Sequence, residues 1–417
     1  MNTRRGLPRP LAVALLKSEL MAPLSFAEAR ALLIDKVGRA RPIPGVEFVD
    51  LAEADGRVLA IPLGADRDYP PFNRSMRDGF AVRAADVPGT LTVIGEVRAG
   101  ECFDGEVATG QAVEIMTGAP LPDGADAVVM VEHTSLECDL VTIEKRVTPG
   151  HNVSPRGCDA AAGAEVLHIG QAIGFPEVAV LATVGMSRVP VYRRPRVAIL
   201  STGDEILDIG ATPQEHQIRD SNAWSLASQV RRAGAQSIVL PMARDSVGET
   251  TDIISEGLNA DLLLVSGGVS AGKYDLVESV LAKHGAEFYF DRVLVQPGQP
   301  LVFGRAQGTF FFGLPGNPAS TMVCFEIFAR AAIELLSGRE NSKLPLTESI
   351  LSKEFHHAPG LTRFLPASLS DDGSRVTPVP WSGSGDVMAL ARANVFLVAE
   401  PDKPDYAAGE RIRVLMR

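Results

Sequence analysis

The stretch Asp261–Asp275, DLLLVSGGVSAGKYD, restricts the possible folds more than any other part of the chain. Leu262–Val265 is a short apolar run with the length and composition of a buried parallel strand. It stops at Ser266-Gly267-Gly268, continues through Ser270 and Gly272, and at Asp275 gives way to the helical spacing of Val277, Val280 and Leu281. A strand, a glycine turn and a helix start together form an anion cradle. Glycine lets the backbone come close, and the free N–H groups of the helix N-terminus favour negative charge. Taken alone, the segment is explained equally well as a tight strand-to-helix connection with no ligand.

The flanking sequence repeats the unit. After the basic linker Arg193-Arg194-Pro195-Arg196, a strand over Arg196–Thr202 ends in Ser201-Thr202-Gly203-Asp204-Glu205. A helix at Ala223–Ala233, a strand at Ser237–Leu240 ending in Ala243-Arg244-Asp245, and a helix at Glu249–Leu258 follow. Beyond the opening stretch come a strand at Glu287–Phe290, the Gln296-Pro297-Gly298-Gln299-Pro300 turn and a strand at Thr309–Phe312. Leu314-Pro315-Gly316-Asn317-Pro318 then leads into a long apolar helix, Ser320–Leu336. This β–α alternation predicts an α/β domain with a doubly wound parallel sheet, whose loops gather at the C-terminal ends of the strands. The pattern therefore brings together small residues, backbone amides and the carboxylates Glu205, Asp245 and Asp275. Carboxylates around an anion cradle suit a hard divalent cation bridging them to phosphate oxygens. Asp245 and Asp275 each also read as helix N-caps, which explains them singly but not as a set.

Elsewhere the chain reads as smaller pieces. Ser25-Phe26-Ala27-Glu28 is a capping box that opens a helix through Leu33 and Val37. Strand-like pieces follow at Val46–Ala52 and Arg57–Ala60, then PPFNRSMRDGFAV over Pro70–Val82. Leu91–Glu144 alternates with turns at Ala99-Gly100, Asp104-Gly105 and Asp123-Gly124, a small all-β domain. Within it, Thr117-Gly118 in a loop before Pro120 and Pro122 reads either as a hydrogen-bonding contact for a ligand or as a simple turn, and physical grounds alone favour the turn. A helical pattern covers Pro176–Val184. From about Leu346 the chain returns to strands at Phe364–Leu369, Arg375–Val379, Val395–Ala399 and Arg411–Leu415, a second small β domain. Its Ser382–Asp386 segment reads as a flexible loop facing an unknown partner.

Composition bounds the function. At 417 residues the chain has room for about two to four domains. A net charge of −11 argues against a general nucleic-acid or membrane-surface binder. The four cysteines include no CxxC pair, which fits a reducing compartment without a zinc site or disulfide framework. His356-His357 reads as a polar surface feature. No stretch approaches the length of a membrane span, and Leu11–Leu16, interrupted by Lys17, is too short for a signal segment. Residues 1–20 read as a disordered extension or an overlong start with Met21 as the natural beginning. A cytoplasmic protein is expected.

Pro70–Val82, IMTGAPLPDGADAVV at Ile115–Val129, STGDE, RDSN at Arg219–Asn222, SGGVSAGKYD and GLPGNPAS occur in one order. That series resembles the molybdopterin molybdenumtransferases, which are the MoeA proteins and the C-terminal domain of gephyrin, and it runs from Pro23 to the C-terminus. The resemblance implies insertion of molybdate into adenylylated molybdopterin with Mg2+, releasing AMP and molybdenum cofactor. It implies catalytic roles for Glu205, Asp245, Asp275 and Thr117, with the three carboxylates also as metal ligands. It implies a binding surface of Asp78, Ser201, Thr202, Gly203, Asp220, Asn222, Ser266, Gly267, Gly268, Ser270, Gly272, Gln296, Gln299, Pro315, Gly316, Asn317, Pro318 and Ser320. It also implies a homodimer with a composite active site, in which Asp78 and Thr117 act in trans, with a molybdopterin adenylyltransferase and apo-molybdoenzymes as partners. The implied organisation is a linker and dimerisation domain over 21–66 and 152–190, a small β domain over 67–151, an α/β domain over 191–340, and a C-terminal β-barrel over 341–417.

The departures fall at chemically telling positions. The family's Phe-Asp-Asn-Ser or Phe-Asp-Arg-Ser reads Phe72-Asn73-Arg74-Ser75, so a carboxylate becomes an amide. Its Asn-Val-Arg reads Asn152-Val153-Ser154, with Arg156 nearby as a substitute. Its Lys-Pro-Gly-Lys-Pro turn has Gln296 and Gln299 in place of the cations. A non-catalytic molybdopterin-binding paralogue or scaffold is therefore the rival reading. An adenylyltransferase, which shares the Ser-Gly-Gly cradle, is disfavoured by Ile115–Val129, LPGNPAS and the C-terminal β domain.

Overall fold

The computed structural model describes residues 22–244, 246–268 and 276–417. They form two compact units. One holds the residues up to Phe48, Gly56–Ala60 and Pro190–Arg417; the other holds Val49–Asp55 and Ile61–Val189.

In the first unit, α1 (Phe26–Ala40) starts from the expected capping box: Glu28 N–H donates to Ser25 Oγ at 3.3 Å and Ser25 N–H to Glu28 Oε2 at 2.9 Å. Its buried stripe, Ala29, Leu33 and Val37, follows helical spacing. The α/β part continues with β1 (Arg196–Ser201), α2 (Asn222–Arg232), β2 (Gln236–Val239), α3 (Val247–Gly257), β3 (Leu262–Ser266), α4 (Leu276–Lys283), β4 (Glu287–Phe290), β5 (Val302–Ala306) and β6 (Thr309–Leu314). The sheet order is β2-β1-β3-β6-β5-β4. The first four strands are parallel, whereas β5 and β4 run antiparallel. The expected doubly wound sheet is thus a parallel core with an antiparallel edge. The edge runs antiparallel because β5 and β6 are joined by a tight hairpin at Gln307-Gly308, with no room for a crossover helix.

Both faces of the sheet are covered. Val197, Ile199, Leu262, Leu264, Phe310 and Phe312 point into the core shared with α1 and α2. Ala198, Leu200, Leu263, Val265 and Phe311 point into the core shared with α3 and α4. Burial on both sides explains why these strands read as unbroken apolar runs. The long helix after β6 is α5 (Pro318–Cys324), a π turn at Phe325–Ala329, and α6 (Arg330–Leu336). Arg30 of α1 donates to Ile327 O within the π turn at 2.6 Å.

The rest of this unit is a barrel of β7 (Leu346–Leu351), β8 (Thr362–Leu369), β9 (Arg375–Pro378), β10 (Val395–Ala399) and β11 (Arg411–Met416), with α7 (Val387–Arg392) between β9 and β10. The pairings β8–β9, β9–β7, β7–β11, β11–β10 and β10–β8 close the ring. Val295–Gln296 adds to β8 in parallel, with Gln296 opposite Arg363. His357 is not a surface feature: it is buried, stacks on Tyr406 with centroids 5.9 Å apart, and bonds Lys403 O through Nε2 at 2.8 Å. Only His356 is exposed, beside Asp405. Arg57–Ala60 forms isolated bridges rather than a strand; buried Arg57 donates to Glu47 and to Tyr192 O instead.

The second unit carries a six-stranded sheet ordered Ala127–Met130, Gly79–Val82, Gln111–Ile115, Gly89–Val97, Leu140–Ile143, Thr134–Glu137. Its one parallel pairing joins Gly89–Val97 to Gln111–Ile115. Phe80, Val82 and Val129 face one core, while Ala81, Val113 and Val128 face another. Among the described residues, no helix is long and apolar enough to cross a membrane.

Candidate functional site

Strands β1 and β3 end level, with Ser201 opposite Ser266. Thr202 N–H donates to Ser266 O at 3.0 Å and Gly267 N–H to Leu314 O at 3.2 Å, so the turns after β1, β3 and β6 are sewn together. Gly267 has φ +88°, and a Cβ there would lie 2.5 Å from Thr202 O. No other residue fits that approach. Asn222, the first residue of α2, is buried; its Nδ2 donates to Ser266 Oγ at 2.8 Å and to Gly316 O at 2.7 Å. One amide thus ties RDSN, SGG and LPG into a single edge. Asp220 Oδ1 accepts from Ala223 N–H at 2.9 Å and steadies the start of the same helix.

These turns enclose a cavity of about 480 Å³. Of the expected residues, Thr202, Gly203, Glu205, Asp220, Asn222, Gly267, Gly268, Pro315, Gly316, Asn317 and Pro318 line it; Ile206, Ile218, Arg219, Ser221 and Pro300 complete the wall. Ser201 and Ser266 are buried at the strand ends. The side-chain oxygens Ser201 Oγ, Thr202 Oγ1 and Asn222 Oδ1 are all buried with no hydrogen-bond partner among the described residues. A buried polar atom left unpaired costs about 1–3 kcal/mol, so such a grouping fits a ligand site better than a structural turn.

A second cavity of about 270 Å³ shares Pro300, Pro315 and Asn317 with the first. Val295 and the Gln296–Pro300 turn, Ser320 on α5, and Leu361, Trp381, Gly383 and Ser384 form its remaining lining. The expectation of a flexible Ser382–Asp386 loop is corrected here. Asn317 Nδ2 donates to Ser384 Oγ at 2.9 Å, and Ala319 N–H donates to Ser384 O at 2.9 Å. Asp386 caps α7 by accepting from Ala389 N–H at 2.9 Å and also accepts from Ser382 N–H at 3.1 Å. Those backbone donors hold its carboxyl below the usual range. The loop is a fixed wall because both its ends and its centre are bonded. Gln296 Oε1 and Arg363 Nε are both buried with no partner among the described residues. Trp381 and Ser384 are lining residues that the sequence does not single out; the available signal is Asp386 standing as an N-cap before Val387-Met388-Ala389-Leu390.

The residues expected from the other unit form their own constellation. Asp78 Oδ1 accepts from Thr117 N–H at 2.6 Å and from Thr117 Oγ1 at 2.8 Å, which lowers its pKa. Thr117-Gly118 is a turn, with Gly118 at φ +85°. Asn73 Oδ1 accepts from Arg156 N–H at 2.9 Å, while the Arg156 guanidinium donates to Asp68 at 2.6 Å. Ser154 is buried, 3.3 Å from Cys158 Sγ. Arg156 therefore meets the Asn73 departure through its backbone and commits its charge to Asp68. A larger cavity of about 560 Å³ lies in this unit between Glu132 and Lys145, with none of the expected residues in its lining.

Asp245, Asp275, Ser270 and Gly272 lie outside the described residues. Of the three expected metal ligands, Glu205 alone is described, in the wall of the first cavity. Among the described residues no group of three or more histidines, cysteines and carboxylates is gathered as a metal site.

Residues 24–185 match the MoeA N-terminal region (domain I and II), 198–335 a probable molybdopterin binding domain, and 348–416 the MoeA C-terminal region (domain IV). The molybdopterin molybdenumtransferase of Bacillus subtilis is 33% identical over 416 residues, covering 96% of this chain and 95% of that protein. Molybdopterin molybdenumtransferase 2 of Mycobacterium tuberculosis is 35% identical over 405 residues, covering 94% and 98%. The crystal structure of the molybdopterin biosynthesis moeA protein from Pyrococcus horikoshii superposes with a TM-score of 0.79 at 28% identity, covering 95% of this chain and all of that one.

Proposed function

The chain belongs to the MoeA family, enzymes that act as molybdopterin molybdenumtransferases in molybdenum cofactor biosynthesis, and from that premise we propose the reaction at this site. Adenylylated molybdopterin binds in the 480 Å³ cavity, molybdate in the adjoining 270 Å³ cavity, and the products are AMP and molybdenum cofactor. The observation that carries this reading is the pair of cavities sharing Pro300, Pro315 and Asn317. Two substrates held across one wall react as if intramolecular.

The chain's own residues divide the work. The backbone of Gly268 and the start of α2 receive phosphate oxygens, Gly267 N–H being held by Leu314 O, and Thr202 and Asn222 in the cavity wall supply unpartnered oxygens that orient the pterin. Gln296, Ser320 and Ser384 line the oxyanion side, where amide and hydroxyl donors replace charge. Magnesium, when bound, neutralises charge on the anhydride oxygens. A hard carboxylate beside a phosphate cradle fits an ion that keeps much of its water, so Glu205 would hold it with Asp245 and Asp275.

The proposal extends to a cytoplasmic homodimer in which the Asp78–Thr117 pair of one protomer serves the cradle of the other. A molybdopterin adenylyltransferase would supply the substrate, and apo-molybdoenzymes would take the product.

The test is AMP release from adenylylated molybdopterin by the purified protein with magnesium, with and without molybdate. Molybdate-dependent AMP, together with a product that activates an apo-molybdoenzyme, is the expected result. Tight pterin binding with no AMP under either condition overturns the reading.

A further inference from the structure

We propose that Cys324 is a positioning and selectivity residue of the 270 Å³ cavity. Its buried thiol sets how far the Gln296–Pro300 turn stands from α5, and so which tetrahedral oxyanion fits. This inference rests on the reading of that cavity as the oxyanion site.

Cys324 is the last residue of α5 and is fully buried. Its Sγ donates to Gly298 O at 3.6 Å. Gly298 has φ +111°, and a Cβ there would overlap Cys324 Sγ, with Ser320 O the next neighbour at 3.7 Å. The turn therefore rests on α5 with a single sulfur as the spacer. Ser320 lies four residues before Cys324, on the same helix face and one turn nearer the N-terminus. Ser320 and Gly298 both line the cavity, and Cys324 stands outside that lining against Gly298.

Both supports of the turn are firm. Val295–Gln296 is paired with β8, opposite Arg363. Directly after Cys324 the π turn begins, and Arg30 holds its Ile327 carbonyl. Burial pushes the Cys324 thiol up in pKa, so it stays protonated, keeps its donor and is a poor nucleophile. With glutamine at 296 and 299, the turn attracts an anion through hydrogen bonds that depend on distance, without the longer reach of a cation. A spacer that fixes those distances then governs selection.

The experiment is calorimetric titration of the full chain with molybdate and, separately, sulfate, for wild type, Cys324→Ala, Cys324→Ser, Gly298→Ala and the Gly298→Ala/Cys324→Ala double variant. Cys324→Ala is expected to weaken molybdate binding about tenfold and to lower the molybdate-to-sulfate preference, as a sub-ångström misplacement does. Cys324→Ser, which keeps a donor to Gly298 O, is expected to retain most of the affinity. Gly298→Ala weakens binding, and removing the sulfur in that background recovers part of it. In the AMP-release assay the KM for molybdate moves and the KM for the pterin substrate does not. Wild-type molybdate binding with an unchanged preference in both Cys324 variants overturns this proposal alone. So does a parallel loss of molybdate affinity, pterin affinity and thermal stability. A wild type that binds no molybdate overturns the oxyanion reading and this inference with it.

Discussion

The two adjoining cavities are built by different means. The first is made at one edge of one sheet: strands β1, β3 and β6 end together, glycines admit the backbone, and Asn222 ties the turns. The second is assembled from a turn after β4, the face of α5, and a barrel loop that follows β9. The first keeps a carboxylate, Glu205, in its wall, whereas the second presents neutral amides and hydroxyls. A site made by a sheet edge depends on backbone geometry. A site made by distant segments depends on the side chains that pin those segments together.

Substitutions can break that contrast in order of expected effect. Glu205→Ala should lower kcat by about a hundredfold or more, the scale of a lost electrostatic partner in a reacting site, while molybdate binding persists. Steady-state AMP kinetics beside molybdate calorimetry would read both; equal loss in the two would merge the cavities into one site. Asn222→Ala removes two buried hydrogen bonds and should cost about 2 kcal/mol in urea denaturation, with weaker pterin binding. An unchanged midpoint would mean that the strand ends are held by other bonds.

Gln299→Lys restores a cation to the second cavity and should tighten molybdate about tenfold, with a steeper loss as salt rises. No added salt dependence would place position 299 away from the anion. The smallest effect is expected at Asp386. Its carboxyl is held below its ordinary range by Ala389 and Ser382 N–H donors, so its native pKa lies under the unfolded one. The stabilisation is therefore complete above the unfolded value and lost as pH falls through the native one. The protection factor of the Ala389 amide, its exchange divided out by the intrinsic rate at each pH, should fall on acidification in wild type and show no such step in Asp386→Ala.

The contrast also explains what the sequence made legible. Ser201-Thr202-Gly203, Ser266-Gly267-Gly268 and Pro315-Gly316-Asn317 were placed side by side because parallel strands send their loops to one edge, and they line or underlie one cavity. The second cavity resisted because nothing local in Trp381–Asp386 announces contact with Asn317. Two long-range bonds, Asn317 to Ser384 Oγ and Ala319 to Ser384 O, create it. Arg363 was hidden for the same reason: its place opposite Gln296 follows from barrel register. The antiparallel edge was lost because Val302–Ala306, buried almost throughout, carries no alternation to mark it as a strand. His357 misled because a polar residue was assigned to the surface, whereas stacking on Tyr406 and a carbonyl partner make its burial tolerable.

The most direct test of two cavities with two tasks is anomalous diffraction from crystals of the protein soaked in tungstate, a heavy tetrahedral stand-in for molybdate. The account predicts one strong peak between Gln296, Ser320 and Ser384, with the Gly267–Gly316 cradle free of it. A peak in the cradle, beside Glu205, with none against Ser384, would contradict it.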